Sequence, residues 1–306
     1  MTVPSLFHIK KAIASLNPEQ VRKLADRPIR VGIYASSPQS FQRIEDFFLR
    51  DLGPERRRES ASLLVREPSG RGPSDLTIFD EGVVAPPRAL VFHSERPDEI
   101  VKRILARYED LGLPLARAFP PFRRPFVERV ISQTCKENAV FSLTTALPDI
   151  IPSIIEIPWA VAEFASDTAF ITMNQLKMAF LIAAASDRPV GYREQKSEVA
   201  TVVAGAFGWR AIARQVVGKI PFGGGLVGKA AIAYAGTKVI GLSLDHLYAI
   251  GYTYSREERE SLYQDAFRQG RNVAWRILTY LRPDLAAKFT RAETSKQPAV
   301  MSYPRA

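Results

Sequence analysis

The chain has 306 residues and a net charge of +10, and 46% of its residues are hydrophobic while 24% are charged. This composition is that of a folded chain and excludes a disordered one, and the length suffices for two domains of ordinary size. The single cysteine, Cys135, excludes an intramolecular disulfide and suits a reducing cytoplasm.

The positive charge is spread along the chain. Residues 1–130 carry 22 Lys/Arg and 17 Asp/Glu, and residues 131–306 carry 20 and 15, so each part has a net charge of +5. The one basic run, Arg56–Arg58, is interpreted as a solvated loop because Glu55 and Glu59 flank it. An even distribution suits a membrane-surface protein better than one that reads a nucleic-acid groove, so no nucleic-acid partner is expected.

Residues 1–28 are expected to form a helical extension. The first residues, Met1–Lys11, lack the basic-then-apolar order of a signal peptide. Nowhere does the sequence contain a charge-free apolar run of about eighteen residues, the usual minimum for a spanning helix.

Residues 29–118 are expected to form a small α/β domain with a mostly parallel sheet. Short apolar runs alternate there with amphipathic segments, which is the pattern of strands that alternate with helices. Ser36 or Ser37 caps the first of these helices, and Pro38 falls in its first turn. The predicted strands are 29–35, 61–66, 75–80 and 88–94, and the predicted helices are 36–49 and 97–108.

The ends of these strands are weak candidates for a nucleotide site. Parallel sheets bind nucleotides after the first strand, but Ala35–Ser40 contains neither a glycine nor a lysine to cradle a pyrophosphate. Asp80–Gly82 resembles the Mg²⁺-side acid of GTPases, and a plain turn explains it equally well. The carboxylate pairs Glu45–Asp46 and Asp80–Glu81 are interpreted as solvated faces and turns. The sequence favours a degenerate, nucleotide-free domain with no metal.

A linker over Ala118–Phe126 is expected to lead into an all-α domain, residues 119–283. No strand pattern follows the linker, and the pattern stays helical to about Leu281. The last helix has a capping box, with Ser255 as N-cap and Glu258 three residues on. The tail, residues 284–306, is predicted to be disordered.

The glycine-rich stretch Lys219–Gly241 has two interpretations. Gly223, Gly228 and Lys229 fall on the G-x-x-x-x-G-K spacing of a phosphate-binding loop, which would make a nucleotide-binding switch. Ala230, however, stands where such loops place a Ser/Thr for Mg²⁺, and the preceding residues are helical in pattern. The other interpretation is a helix start with small residues on one face, which permits close helix packing in lipid or in a soluble bundle. This face comprises Gly224, Gly228, Ala231 and Ala235.

Polar side chains interrupt the most apolar helices. A lysine at mid-bilayer costs about 2.5–3.5 kcal/mol, so these residues argue against a simple single span and for a hairpin, a bundle or a peripheral mode. The sequence around Asp245 and His246 half-resembles a serine nucleophile motif but lacks its second glycine, and no catalytic residue is assigned. The interrupting residues are Asn174, Lys177, Lys238, Asp245 and His246.

The region from Phe119 to Gly251 resembles the YcjF-like, GTPase-associated bacterial membrane domains, a family whose function is unknown. The resemblance rests on F-R-R-P-F-V-E-R, E-N-A-V-F-S-L, T-M-N-Q-L-K-M and K-I-P-F-G-G-G-L-V-G-K-A. It implies a membrane-linked helical module, a GTPase as a possible partner, and a place on the cytoplasmic side of the inner membrane. The chain departs from the family because no working phosphate-binding loop precedes the helical region.

The leading hypothesis is a non-enzymatic, membrane-associated scaffold or regulatory protein without a cofactor, whose helical domain packs against membrane lipid, a membrane protein or a second copy. The alternatives are a nucleotide-binding switch and a soluble helical scaffold.

Overall fold

The structure is a computed structural model that describes residues 16–69, 72–146, 167–202 and 224–287. It has a small parallel four-stranded sheet near the N-terminus, followed by a mostly helical region. The predicted fold class is therefore confirmed. Of the extension expected over residues 1–28, residues 1–15 lie outside the described residues and Pro18–Ala25 is a helix. Most of the predicted tail, residues 284–306, also lies outside them, while residues 283–287 form a short helical turn with Ala286 buried.

The sheet has the strand order β2-β1-β3-β4, and all its pairs are parallel. Val31 and Ile33 of the central strand are fully buried, because helices cover both faces of such a sheet. All four predicted strands are confirmed, with shorter bounds than the sequence pattern indicated. They are β1 (Val31–Tyr34), β2 (Leu64–Glu67), β3 (Leu76–Asp80) and β4 (Leu90–Phe92).

Five helices accompany the sheet. Each of the first three begins at a proline, where the missing N–H costs least. Asn17 caps the first helix and Ser37 caps the second through side-chain oxygens. The five are α1 (Pro18–Ala25), α2 (Pro38–Phe48), α3 (Pro54–Ala61), α4 (Asp98–Arg107) and α5 (Gly112–Ala118).

Helix α3 contains the basic run Arg56–Arg58, so the prediction of a loop there was wrong. The helix has almost no apolar face, and its arginines reach acids elsewhere in the fold. Arg57 pairs with Asp46 of α2 at 2.5 Å, and Arg56 pairs with Asp187 at 2.8 Å. Contacts remote in sequence thus support a segment whose own pattern carries no helical signal.

The described part of the second half contains four long helices. They are α6 (Pro120–Thr144), α7 (Asp167–Ala185), α8 (Gly224–Ile250) and α9 (Arg256–Leu281), and residues 196–202 are also helical. The predicted capping box of α9 is present, since Ser255 and Glu258 bond each other's backbone N–H groups. Helix α8 is the central one, and both Ala231 and Ala235 on it are fully buried.

The segment expected to be a linker is instead packed into the core. Residues 118–126 contain the end of α5 and the first turns of α6. Phe119 and Phe122 are fully buried against Phe48 of α2, with ring centroids 5.1 and 5.5 Å from the Phe48 ring. One continuous hydrophobic core therefore joins the sheet to the helical half.

The directions of the long helices follow from their contacts. Helices α6 and α7 are antiparallel, because Asn138 bonds Asn174 while Arg123 bonds the Ala185 carbonyl. Helices α7 and α8 run the same way, since Gln175 bonds Thr237 and the later Arg188 bonds the Tyr248 carbonyl. Helix α9 returns antiparallel along α8 after a short turn. The bundle thus has one end where α7 and α8 begin and where α6 and α9 end.

The sheet lies at the other end of this bundle. Helices α2, α4 and α5 pack on the first half of α6, and α1 and α5 pack on α7. Asp187, just after α7, accepts from Arg56 at 2.8 Å and from Arg117 at 3.3 Å. The residues that close α7 are therefore tied to the α/β half. We call this end the sheet end, and the opposite one, where residues 147–166 connect α6 to α7, the distal end.

Candidate functional site

The crevice at the carboxyl ends of β1 and β3 is the position where parallel α/β sheets bind ligands. The chain leaves β1 toward β2 on one side and returns through β3 on the other, which makes a topological switch point. Ser36 follows β1 and Asp80 ends β3, and the Ser36 hydroxyl donates to the Asp80 Oδ2 at 2.6 Å. The two strand ends are thus tied together by side chains.

Asp80 is buried and hydrogen-bonded, so its interpretation as part of a solvated turn was wrong. Burial by itself raises the pKa of the Asp80 carboxyl, but hydrogen bonds from Ser36, Ser40 and the Gly82 backbone outweigh it and hold the pKa below its usual range. The carboxylate is therefore ionised at neutral pH. It acts as a fixed acceptor for the serines around it.

The rim of the crevice carries a second polar group of side chains. Glu81 accepts from the Ser94 hydroxyl at 2.7 Å, and the hydroxyl and backbone N–H of Ser94 hold the pKa of Glu81 below its usual range. Arg43 reaches Ser40 at 3.4 Å and Ser94 at 3.5 Å. A Cβ at Gly82 would meet the Ser36 hydroxyl at 3.0 Å and the Asp80 carboxylate at 3.2 Å, so a side chain at this position would crowd both groups.

The residues with phosphate-loop spacing do not form a loop after Gly223, which itself lies outside the described residues. Helix α8 already begins at Gly224, so Gly228 and Lys229 lie within its first two turns. A phosphate-binding loop needs free backbone N–H groups that wrap the ligand before the helix starts. Helical residues from 224 onward leave no such cradle.

The small-residue face of α8 packs against α9 of the same chain. Ala231 lies against Gly270, where an added Cβ would come within 2.9 Å of the Ala231 carbonyl oxygen. Gly228 and Ala235 are buried on the same helix, and the side-chain surroundings of Gly224 are outside the described set. Three of the four residues of this face, Gly228, Ala231 and Ala235, are thus buried within the chain itself.

A matching stripe of small and apolar residues on α9 was not predicted. Ala266, Gly270, Ala274 and Leu278 recur every four residues and are the buried residues of this helix. Their spacing is visible in the sequence, but it lies in a strongly polar segment, where only the capping box was predicted. Small residues on both helices permit the close α8–α9 approach.

The polar residues predicted to interrupt the apolar helices lie in different surroundings. Lys177 is exposed, and Lys238 donates to Gln269 of α9. Asp245 is half-buried, and desolvation raises the pKa of its carboxyl. His246 stacks on Tyr254 with ring centroids 4.0 Å apart. They form no common site, and only Asn174 enters a buried polar network.

This network is a polar layer between α6, α7 and α8. Thr237 accepts from the amides of Asn138 at 2.9 Å and Gln175 at 3.1 Å, and it donates to the Ala233 carbonyl. Asn138 in turn accepts from Asn174 at 2.9 Å. Asn138, Gln175 and Thr237 are all buried, so the layer fixes how three helices align. Asn138 and Thr237 had no signal in the sequence beyond being polar residues in apolar helices.

One helix passes a length and hydropathy test for a membrane span. It is Thr168–Ala185, with a mean hydropathy of 1.3, and 72% of it is buried within the fold, as in the core helix of a soluble bundle.

Across residues 16–69, 72–146, 167–202 and 224–287, no group of three or more His, Cys, Asp or Glu is placed to hold a metal ion. Cys135 is buried, and desolvation raises the pKa of its thiol to about 12.

Comparisons with known proteins found no match to the chain among family models, curated proteins or solved structures. The resemblance of residues 119–251 to the YcjF-like domains therefore stays a prediction.

Proposed function

We propose that this chain is a non-enzymatic scaffold or regulatory protein that associates with a membrane, on the cytoplasmic side of a bacterial inner membrane. The observation that supports this proposal is that the two ends of the bundle differ. The sheet lies at one end, and residues 147–166 attach at the other.

The sequence of residues 147–166, L-P-D-I-I-P-S-I-I-E-I-P-W-A-V-A-E-F-A-S, is rich in isoleucine and contains a tryptophan. Apolar side chains of this kind favour the boundary between lipid headgroups and acyl chains, where tryptophan is also enriched. The segment also leads directly into Thr168–Ala185, the one described helix that is long and apolar enough to cross a membrane. Lipid contact is therefore assigned to the distal end, and not to the small-residue face of α8, which α9 covers.

Flotation of the full-length chain with phosphatidylcholine vesicles tests this function. The wild-type chain should float with the vesicles and should enter the membrane fraction of native cells. Replacing Ile154 and Ile155 together by serine should weaken vesicle binding at least tenfold, since burial of an isoleucine is worth about 1.5–3 kcal/mol.

The matched control is Ile250→Ser with Tyr252→Ser, which removes exposed apolar side chains near the sheet end of α8. This control should float like the wild type. A wild-type chain that stays soluble and does not float would favour the soluble helical scaffold instead.

A small-ligand switch is the second candidate, and the crevice between β1 and β3 favours it by position alone. Titration with labelled GTP and ATP in Mg²⁺ tests it. Binding lost in Ser40→Ala would assign the crevice, and binding lost in Lys229→Ala would restore the phosphate-loop interpretation. A GTPase partner and self-association remain further proposals, for which co-purification and analytical ultracentrifugation are the tests.

A further inference from the structure

Beside the polar layer of α6, α7 and α8, three buried polar atoms have no hydrogen-bond partner within the described residues. They are the Ser142 hydroxyl of α6, and the Thr172 hydroxyl and the Gln175 amide oxygen of α7. Each of these residues is at most 1% exposed, so bulk water does not reach them. A buried polar group without a hydrogen bond is costly, and in folded proteins most such groups bond another group or an ordered water.

These three atoms lie on one side of the polar layer, within about one helical turn of it. Ser142 is one turn after the layer on α6, and Thr172 is one turn before Gln175 on α7. Because α6 and α7 are antiparallel, both steps lead away from the sheet end. Phe141 and Phe170 stack with ring centroids 3.9 Å apart, which places the neighbouring Ser142 and Thr172 at a similar level of the bundle.

The hydrogen bonds of the layer fix the direction of the Gln175 amide. Thr237 has one hydroxyl proton, and it donates this proton to the Ala233 carbonyl at 2.8 Å. Its oxygen can therefore only accept from Gln175, so the Gln175 NH2 group faces Thr237. The Asn138 amide is used on both sides, since it donates to Thr237 and accepts from Asn174. The Gln175 oxygen thus remains an acceptor without a donor among the described residues.

The two hydroxyls do not bond their own helix backbone. A buried serine or threonine in a helix commonly donates to the carbonyl four residues earlier. Thr134 and Thr144 of α6 make this bond, at 2.9 and 3.0 Å. Ser142 and Thr172 do not, although both are also buried. Each of their hydroxyls therefore keeps one proton to donate and an oxygen that can accept.

We propose that a single ordered water molecule is bound between α6 and α7, next to the polar layer, by Ser142, Thr172 and Gln175. The water donates to the Gln175 amide oxygen and to one hydroxyl, and it accepts from the other hydroxyl. About three such bonds are typical of a buried water. The three protein oxygens carry no formal charge, so a neutral ligand suits them better than a cation, whose burial is costly. This inference is independent of the membrane proposal.

Thr172→Val tests the proposal through the sign of its effect on stability, since it replaces the hydroxyl by a methyl group of similar size. Loss of a bond to the water should move the urea midpoint of the full-length chain to lower urea and raise the unfolding equilibrium constant about fivefold, as for one net hydrogen bond. Removal of a hydroxyl that bonds nothing would instead stabilise the chain. A raised or unchanged midpoint would overturn the proposal.

Ser142→Ala measures whether the two hydroxyls share one ligand. Its midpoint should also fall, and the double variant with Thr172→Val should unfold near the midpoint of the less stable single variant, because one substitution already releases the water. The control is Thr134→Val, whose hydroxyl bonds its own helix, and its effect should add to that of Thr172→Val. Additive shifts for Ser142→Ala and Thr172→Val would rule out a shared water.

Oxygen-17 relaxation of the solvent identifies the ligand directly, because it counts the waters that stay in the protein longer than the protein tumbles. The count should be lower by about one water in the double variant than in the wild type. An unchanged count would overturn the proposal. A wild-type midpoint that is higher in sodium chloride than in choline chloride at equal ionic strength would then assign the site to a cation.

Discussion

At the switch point, single residues decide which side chain caps α2 and which one links the ends of β1 and β3. Ser37 caps α2, as one of the two expected caps, while Ser36 donates to the Asp80 carboxylate. The sequence places both serines after a strand, but it does not say which one faces the sheet. Asp80 looked solvated because an acidic pair followed by a glycine, Asp80-Glu81-Gly82, is typical of a turn. Asp80 is buried because the end of β1 lies beside it, and a contact between residues 44 positions apart leaves no local sequence pattern.

Replacing Asp80 with asparagine tests the role of its charge. Hydrogen bonds to a charged group contribute about 1.5–3 kcal/mol, so Asp80→Asn should lower the free energy of unfolding by about that amount at pH 7. Because the folded-state pKa of Asp80 lies below its ordinary value of about 3.9, the contribution is present above that value and is lost as pH falls through the folded-state pKa. The measurement is urea unfolding from pH 7 to pH 3.

The difference between the wild-type and Asp80→Asn free energies of unfolding should therefore narrow below about pH 3.9. Asp51→Asn is the control, because Asp51 is exposed and has a left-handed φ of 64° that asparagine tolerates. A difference that stays constant across this pH range would contradict the assignment of an ionised Asp80.

At the scale of elements, the patterns identified the strands and the long helices but not α3 or the helical start of α6. Period-two and period-3.6 patterns report burial on one face, and α3 has hardly any apolar face. In Ala118–Phe126, three prolines indicated a linker. Pro120 and Pro121 instead occupy the first turn of α6, where proline is tolerated. The polar layer of α6, α7 and α8 joins residues up to 99 positions apart, beyond any sequence window.

Removing the hydroxyl at the centre of this layer should destabilise the bundle. Thr237→Val leaves the buried amides of Asn138 and Gln175 without their acceptor, so we expect a loss of about 1–3 kcal/mol in the free energy of unfolding. Thr237→Ser keeps the hydroxyl and should therefore retain most of the wild-type free energy of unfolding. Chemical unfolding followed by far-UV circular dichroism measures the effect.

Thr279→Val on α9 provides the matched control. Thr279 also bonds the carbonyl four residues earlier, at 2.9 Å, but it is exposed and accepts no buried amide. The control should change stability by less than about 0.5 kcal/mol, as surface substitutions usually do. Equal effects at the two sites would show that the layer adds nothing beyond the local bond.

At the scale of the whole molecule, the α/β half and the helical half share one core, and the bundle has two dissimilar ends. The boundary predicted at residue 118 falls between packed helices and not in an exposed linker. The sheet end is fixed by aromatic packing and by the ion pairs of Asp187. The distal end is where residues 147–166 join α6 to α7, which is why the membrane proposal is placed there.

A shared core predicts that a cavity in one half destabilises the other. Phe48→Ala in α2 should cost about 3–5 kcal/mol, because Phe48 is fully buried against Phe119 and Phe122. The three tryptophans, at positions 159, 209 and 275, all follow residue 118, so tryptophan fluorescence follows the helical half alone. Its unfolding midpoint should shift to lower urea in this variant.

Val84→Ala is the control, since Val84 is 97% exposed in the α/β half. It should leave the fluorescence transition in place. An unchanged transition in Phe48→Ala as well would mean that the two halves unfold independently.

The sequence alone determined the order of strands and long helices, the capping of α2 and α9, and the small residues of α8, because these depend on neighbours within a few positions. The tertiary structure decided what each surface meets. It packed Ala231 of α8 against α9, buried Asp80, and tied the ends of β1 and β3 together through the hydrogen bond from Ser36 to Asp80. Such pairings join residues far apart in the chain, and local periodicity specifies that a face is buried but not which partner buries it.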